Sequence, residues 1–167
     1  AMAVDLGVNN LVTAVTSEGK SLIIDGRRIK AVNQWYNKEN SRLQGIRDRQ
    51  ARGDSCKRRK LTTRQKSLIR KRNNIINDYM SKTARIVIDT CIEEGIGRLV
   101  IGCNEGFQER SRMGRKTNQI FVQIPYGKLR SKLKYLCELN GIEYIEQEES
   151  YTSKASFWDR DEIPVYK

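Results

Sequence analysis

The stretch Met2-Ala3-Val4-Asp5-Leu6-Gly7-Val8-Asn9-Asn10 decides the predicted fold. A short apolar run bounded by turn residues is typical of a buried strand, and a carboxylate inside it is costly unless a cation compensates the desolvated charge. We therefore expect Asp5 to lie beside a metal ion or a basic partner. The alternative, from these residues alone, is that Asp5 merely starts a turn, as Asp commonly does.

Two more apolar runs follow at residues 11–16 and 21–26, with turn residues 17–20 between them. This pattern predicts an antiparallel meander of three strands. The period then changes to that of a helix, which predicts an amphipathic helix packed on the sheet. Residues 47–60 lack apolar positions and are predicted to be an exposed basic loop. The apolar positions assigned to the first helix are Ile29, Val32, Trp35, Tyr36, Leu43 and Ile46.

A second, longer helix is predicted to begin at Thr62 or Thr63 and to end at Gly95, because Thr62 and Gln65 have capping-box spacing. Residues 98–102 then predict a fourth strand, which a helical crossover would make parallel to the first, with its C-terminal end beside Asp5.

The remaining elements follow the fourth strand. Pro125 is expected to open a third helix and Asn140-Gly141 to stop it. Residues 142–147 predict a fifth strand, and the following segment shows little periodicity. The predicted order is three strands, two helices, a strand, a helix and a strand.

The composition points to one domain with a polyanionic partner. The chain has 167 residues, and 32 Lys and Arg against 20 Asp and Glu give a formal charge of +12. We expect a single domain over residues 1–167, with nucleic acid as the first candidate partner and an anionic membrane surface as the second. No apolar run has the length of a membrane span and no signal-peptide pattern opens the chain, so we expect a soluble cytoplasmic protein.

The cysteines and the lack of histidine restrict the chemistry. Cys56, Cys91, Cys103 and Cys137 are widely scattered, and the chain contains no His. We expect reduced thiols and no zinc site. Histidine-based triads and bases are excluded, so catalysis would have to rest on carboxylates and metal ions.

Basic residues are concentrated in two segments. Those of residues 64–72 have no nearby acidic partner until Asp78, which favours a phosphate-binding surface over residues 42–72. The alternative is an ordinary solvated face. A second cluster follows the fourth strand. The candidate nucleic-acid-binding residues are Arg42, Arg58, Arg59, Lys60, Arg64, Lys66, Arg70, Lys71, Arg72, Arg110, Arg112, Arg115 and Lys116.

The order of elements predicts an α/β fold of the RNase H-like class, which the resemblance described next narrows to the RuvC type: a five-stranded mixed sheet with flanking helices and a basic pair of long helices after the third strand. Four motifs carry a more specific resemblance: Asp5-Leu-Gly-Val-Asn-Asn-Leu-Val, Leu99-Val-Ile-Gly-Cys-Asn-Glu-Gly, Gln123-Ile-Pro-Tyr and Glu148-Glu-Ser-Tyr-Thr-Ser-Lys-Ala-Ser-Phe. In this order they resemble the RuvC-type nuclease domain of the transposon-encoded TnpB (OrfB) proteins, and the resemblance covers essentially the whole chain.

The resemblance implies a site of three carboxylates holding two Mg²⁺ or Mn²⁺ ions. Asp5 matches the first carboxylate, but Gly102 stands where the second, a Glu, is usual. The resemblance offers Glu149 as the replacement, followed by Glu105 and then Glu148. The third carboxylate belongs to a motif beyond Lys167, so the sequence is interpreted as a catalytic core truncated at its C-terminal end. Acidic residues that precede the position of this third motif are Asp159, Asp161 and Glu162.

The implied activity is cleavage of target DNA directed by a guide RNA from the transposon, with the chain inactive by itself. Two other classes stay open: a nucleic-acid-binding module without catalysis, which the departure at Gly102 favours, and a transposase that also joins strands. The guide, the target-adjacent motif and the oligomeric state do not follow from these residues.

Overall fold

The computed structural model describes residues 1–51, 60–103 and 123–148. Its strands are β1 (Met2–Asp5), β2 (Asn10–Thr16), β3 (Ser21–Asp25), β4 (Arg98–Cys103) and β5 (Glu143–Glu148). They form one sheet in the order β3-β2-β1-β4-β5, in which β1 to β3 are antiparallel and β4 is parallel to both β1 and β5. The predicted meander, crossover and mixed five-stranded sheet are confirmed.

The helices are α1 (Arg27–Gln50), α2 (Thr63–Glu93) and α3 (Tyr126–Leu139). The predicted capping box opens α2, where the Thr62 hydroxyl accepts a hydrogen bond from the Gln65 amide and the Gln65 side chain accepts one from the Thr62 amide. Gly95 and Gly141, which follow α2 and α3, have φ values of +62° and +68°. Glycine is favoured at both positions because L side chains rarely adopt this backbone conformation.

Two expectations for α1 are wrong. The helix continues to Gln50, so residues 47–50 are helical instead of the start of a loop. Trp35, which was assigned to the apolar face, is 42% exposed. Hydrogen bonds link α1 to α2 at Arg47, Gln44, Asn40 and Asn33. Of the predicted apolar positions, Ile29 and Val32 join the main core and Leu43 is buried outside it. A polar helix–helix contact leaves no hydrophobic period in the sequence.

The core lies between one face of the sheet and the helices. Along β1, Met2 and Val4 are buried, whereas Ala3 and Asp5 are exposed. This alternation is the two-residue period of a strand with one covered face. On β2 the adjacent residues Leu11 and Val12 are both fully buried, because the pairing with β3 shifts register there and a shifted register breaks the alternation.

The helices α1 and α2 are long, but a membrane span must also be apolar. In the part of the chain that the structure describes, no helix is long and apolar enough to cross a membrane.

Candidate functional site

Asp5 ends β1 at the centre of the sheet and is exposed on the face that the core does not use. The expectation of a buried, desolvated carboxylate is therefore wrong, because Asp5 occupies an outward position of an alternating strand. Solvent already screens its charge, so burial does not require a cation there. What the position offers is an accessible oxygen ligand held by a central strand.

The register of the parallel strands identifies what lies beside Asp5. Val4 pairs with Ile101, so continuing the register by one residue places Asp5 level with Gly102, and Gly102 pairs with Gln147 on β5. The prediction that the end of β4 lies beside Asp5 is confirmed. Glycine at this point leaves the space next to Asp5 without a side chain from β4.

The alternative ligand Glu148 occupies a different row. It pairs with Cys103 and follows Gln147 by one residue, so the alternation of the strand directs it to the face opposite Asp5. Two other predicted ligands, Glu105 and Glu149, lie outside the described residues. Across residues 1–51, 60–103 and 123–148, no group of three or more Asp, Glu, Cys or His side chains is arranged to hold a metal ion. Among the described residues, Asp5 is thus the predicted metal ligand that lies on this face of the sheet.

Tyr126, the first residue of α3, lies near Asp5 but is buried. Burial raises the pKa of the Tyr126 hydroxyl, and the negative charge of Asp5 raises it further. The sequence predicted Tyr126 only as a core residue. Tyr126 follows Gln123-Ile124-Pro125 in one of the four motifs of the resemblance. That position was the sequence feature that could have linked the start of α3 to the site.

The helices α1 and α2 form an antiparallel hairpin. Arg47 near the end of α1 donates to Gln65 at the start of α2, and Arg72 further along α2 donates to Asn33 near the start of α1, with an N–O distance of 2.9 Å. At the other end, the Tyr79 hydroxyl donates to the backbone oxygen of Asp25. The prediction of a basic pair of long helices is confirmed, and polar contacts set its register.

Arg72 differs from the other predicted phosphate-binding residues because it is partly buried in a network. Its guanidinium donates to Asn33 Oδ1, to Asn73 Oδ1 and to the backbone oxygen of Gln123, at 2.9, 3.0 and 3.0 Å. It also lies over the Tyr36 ring, 5.6 Å from the centroid. Burial lowers the pKa of Arg72. These contacts fix α2 to α1 and to the segment before α3.

A second connection reinforces this junction. The side-chain amides of Asn37 and Gln123 form two reciprocal hydrogen bonds of 3.0 Å each. No local sequence pattern indicates this contact, since Asn37 and Gln123 are far apart in the chain. Asn33, which is buried within the amphipathic stripe of α1, was the available hint that a polar partner approaches that face.

Other predicted cations stand on the hairpin surface. Arg42 is exposed but forms an ion pair of 2.6 Å with Glu39. Four more are exposed, and the described part of the chain provides none of them with an acidic partner within ion-pair distance: Lys60, Arg64, Lys66 and Arg70. Lys71 is exposed above the Trp35 ring. The remaining candidates lie outside the described residues: Arg58, Arg59, Arg110, Arg112, Arg115 and Lys116.

Comparison with known proteins places this architecture in a family. The sequence profile of the OrfB_IS605 family, described as "Probable transposase", matches residues 1–108. The chain belongs to this family. The matched region contains β1 with Asp5, both long helices and β4, so the family assignment rests on the elements that build the site.

Solved structures show that this OrfB-family chain has an RNase H-like RuvC fold. It is similar to a chain of the "Cas12f1-sgRNA-target DNA complex", with a TM-score of 0.59 and 17% identity over 92% of its length. It is also similar to a chain of the "CRISPR-Cas12f Ternary Complex", with a TM-score of 0.67 and 18% identity over 92% of its length. The OrfB-family chain spans 37% and 29% of those two chains. No protein with a curated description is significantly similar in sequence.

Proposed function

We propose that this chain is the catalytic core of a metal-dependent DNA endonuclease directed by a guide RNA. The observation that carries the proposal is the position of Asp5: an exposed carboxylate at the C-terminal end of the central strand of an RNase H-like sheet, beside the end of β4. Such a carboxylate is a hard oxygen ligand, which suits Mg²⁺ or Mn²⁺ better than a thiolate-binding metal.

In this proposal Asp5 and Glu149 hold the metal ions. Gln147 shares the face of Asp5, and Glu149 follows it two positions later in the sequence, so continued strand alternation would favour Glu149 over Glu148 as the second ligand. Glu105 is the other alternative. When bound, a pair of divalent ions supplies activation of the attacking water and stabilisation of the leaving oxygen. The residues of this chain orient the phosphodiester and hold it against that centre.

The exposed cations of the hairpin would contact the nucleic-acid backbone. Arg64, Lys66 and Arg70 project from the first third of α2 without acidic partners in the described chain. Such a surface binds phosphate without reading sequence, which is what a protein needs when base pairing to a guide selects the target. The similar chain in the Cas12f1 complex, which is described as containing sgRNA and target DNA, is compatible with this assignment.

Arg64 and Arg72 should therefore respond differently to substitution. Arg64→Ala with Arg70→Ala should weaken binding about equally for all sequences and reduce the slope of log K against log salt by about 2, since each phosphate contact contributes about 0.9. Arg72→Met should instead lower the free energy of unfolding by about 1–3 kcal/mol, because it removes the hydrogen bonds to the buried Asn33 side chain and to the backbone oxygen of Gln123. Salt-dependent titrations and urea unfolding measure the two effects.

Arg70→Met is the matched control for the stability arm, because Arg70 is exposed and precedes Arg72 by two residues. It should change the unfolding free energy by less than about 0.5 kcal/mol. If the slope of log K against log salt is unchanged in the Arg64→Ala, Arg70→Ala double variant, the hairpin is not part of the phosphate-binding surface.

The experiment that tests the function is cleavage by a longer chain. A version that extends past Lys167 to include a third acidic motif should cut guide-matched DNA in the presence of Mn²⁺ and lose this activity with EDTA. The chain as given should bind nucleic acid without cutting, because Asp5 and one glutamate leave the metal pair incompletely coordinated. Metal-dependent cleavage by the unextended chain would show that its third carboxylate lies within residues 1–167.

The binding-only module is the second candidate function, and Gly102 is the observation that favours it. A longer chain that binds guide and target but never cuts would select this candidate. Strand-transfer products would instead select the transposase.

A further inference from the structure

Trp35 is a large aromatic side chain that the described residues leave partly exposed. It lies on α1 with 42% of its surface exposed, and it is the only tryptophan among the described residues. Lys71 of α2 lies over its ring, with Nζ 5.5 Å from the centroid. The exposed ring therefore sits on the hairpin that carries the unpaired cations.

The charge around Trp35 is strongly positive. The two facing helical segments, residues 35–42 and 64–71, contain six Lys and Arg and one acidic residue, Glu39. The negative charge of Glu39 is compensated by neighbouring cations. A hydrogen bond from Arg42 lowers the pKa of Glu39, and the charges of Arg42 and Arg64 lower it further. Within residues 35–42 and 64–71, no net negative charge remains to oppose an anion.

Helical geometry sets the distance between the Trp35 ring and the two cations Arg42 and Arg64. Arg42 follows Trp35 by seven residues on α1, and Arg64 precedes Lys71 by seven on α2. At 1.5 Å per residue, each interval corresponds to roughly 10 Å along the helix. Along the hairpin, the Trp35 ring and the two guanidinium groups are thus separated by about the length of one or two nucleotides.

We propose that Trp35 is a stacking site for an unpaired base of a nucleic-acid strand whose phosphates contact Lys71, Arg42 and Arg64. Every base has a π-face, so stacking on an aromatic ring is tolerant of sequence, and a neighbouring cationic track binds the backbone. Bases inside a duplex are already stacked and cannot reach the ring. The ligand is therefore a single-stranded segment of DNA or RNA.

Lys71 has an interaction partner both without and with a bound nucleotide. Without ligand, its ammonium group covers the ring as a cation–π partner. Because the side chain is exposed and flexible, the ammonium can leave the ring for the phosphate of the stacked nucleotide. The charge of the segment favours this ligand over an apolar protein surface, which would have to bury unpaired cations beside the ring.

This inference rests on the proposed nucleic-acid binding and adds the class of strand that the hairpin selects. The test uses a Trp158→Phe background, in which Trp35 is the only tryptophan. Oligo(dT) should quench the Trp35 fluorescence, and a duplex of the same length should quench it much less. In the unmodified background, Trp35→Ala should weaken single-strand binding about 5- to 100-fold, as expected for loss of one stacked base, and change duplex binding less than about twofold.

Two further variants complete the design. Trp35→Phe should retain most of the single-strand affinity because an aromatic face is preserved. Tyr135→Ala removes a 62% exposed aromatic residue from α3 and should leave binding unchanged. If Trp35→Ala binds single strands as tightly as the unmodified chain and the fluorescence does not respond, the inference is wrong while the proposed function stands. If the unmodified chain binds no nucleic acid at all, both are wrong.

Discussion

In the longer version of this protein, Asp5→Asn and Glu149→Gln should each lower guide-directed DNA cleavage by at least about 100-fold. Loss of a residue that only supports a metal ligand typically costs about 10- to 100-fold, so loss of a ligand itself should cost more. Both substitutions keep the size of the side chain and remove the charge. The measurement is the single-turnover cleavage rate at saturating guide and Mn²⁺, together with Mn²⁺ affinity by calorimetry.

Glu105→Gln and Glu148→Gln are the matched controls. Glu148 lies in the row of β5 that faces away from Asp5, so its substitution should leave most of the cleavage. Full activity in Glu149→Gln combined with a loss in Glu105→Gln would assign the second ligand to Glu105. Full activity in Asp5→Asn would remove the site from this end of the sheet.

The second large effect concerns the backbone next to Asp5. Gly26, which precedes α1, is buried, and its amide donates a 2.7 Å hydrogen bond to the backbone oxygen of Asn9. A Cβ at residue 26 would lie 2.4 Å from the backbone oxygen of Val8 and 3.1 Å from the backbone nitrogen of Leu11. Val8 lies in the turn that follows β1 and Leu11 lies in β2. Both contacts are with backbone atoms, which cannot rotate away as a side chain would.

Gly26→Ala should therefore lower the free energy of unfolding by about 3 kcal/mol, at the upper end of the range for overpacking. Urea unfolding monitored by circular dichroism measures it. Gly45→Ala is the control, since a Cβ there meets nothing within 4 Å and residue 45 is inside α1, so this substitution should stabilise by about 0.5–1 kcal/mol. If Gly26→Ala proves as stable as Gly45→Ala, the turn after Asp5 is less closely packed than described.

The sequence predicted those parts of the fold that leave a local pattern. The strands, the capping box at Thr62 and the stop glycines Gly95 and Gly141 each depend on residues close together in the chain, and all are confirmed. The exposure of Asp5 was not predicted, because a four-residue apolar strand looks the same whether one or both of its faces are covered.

Long-range polar contacts were the other part that the sequence did not predict. Arg72 appears in the sequence as one cation among several, and only the fold brings Asn33 and Gln123 to it. Trp35 was placed in the apolar stripe because hydrophobic spacing cannot distinguish a core position from an exposed ring on the flank of a hairpin.

The parallel pairing of Met2 with Leu99 has a consequence for synthesis of the protein. A ribosome produces β1, β2 and β3 before β4, and it must add residues 26–97 between β3 and β4. At about 5–20 residues per second this interval lasts on the order of ten seconds. During that time the backbone amides and carbonyls on one side of β1 have no strand partner, which makes this edge a target for intermolecular pairing. In nascent chains the strand that carries Asp5 is thus open to aggregation on an edge that the folded sheet covers.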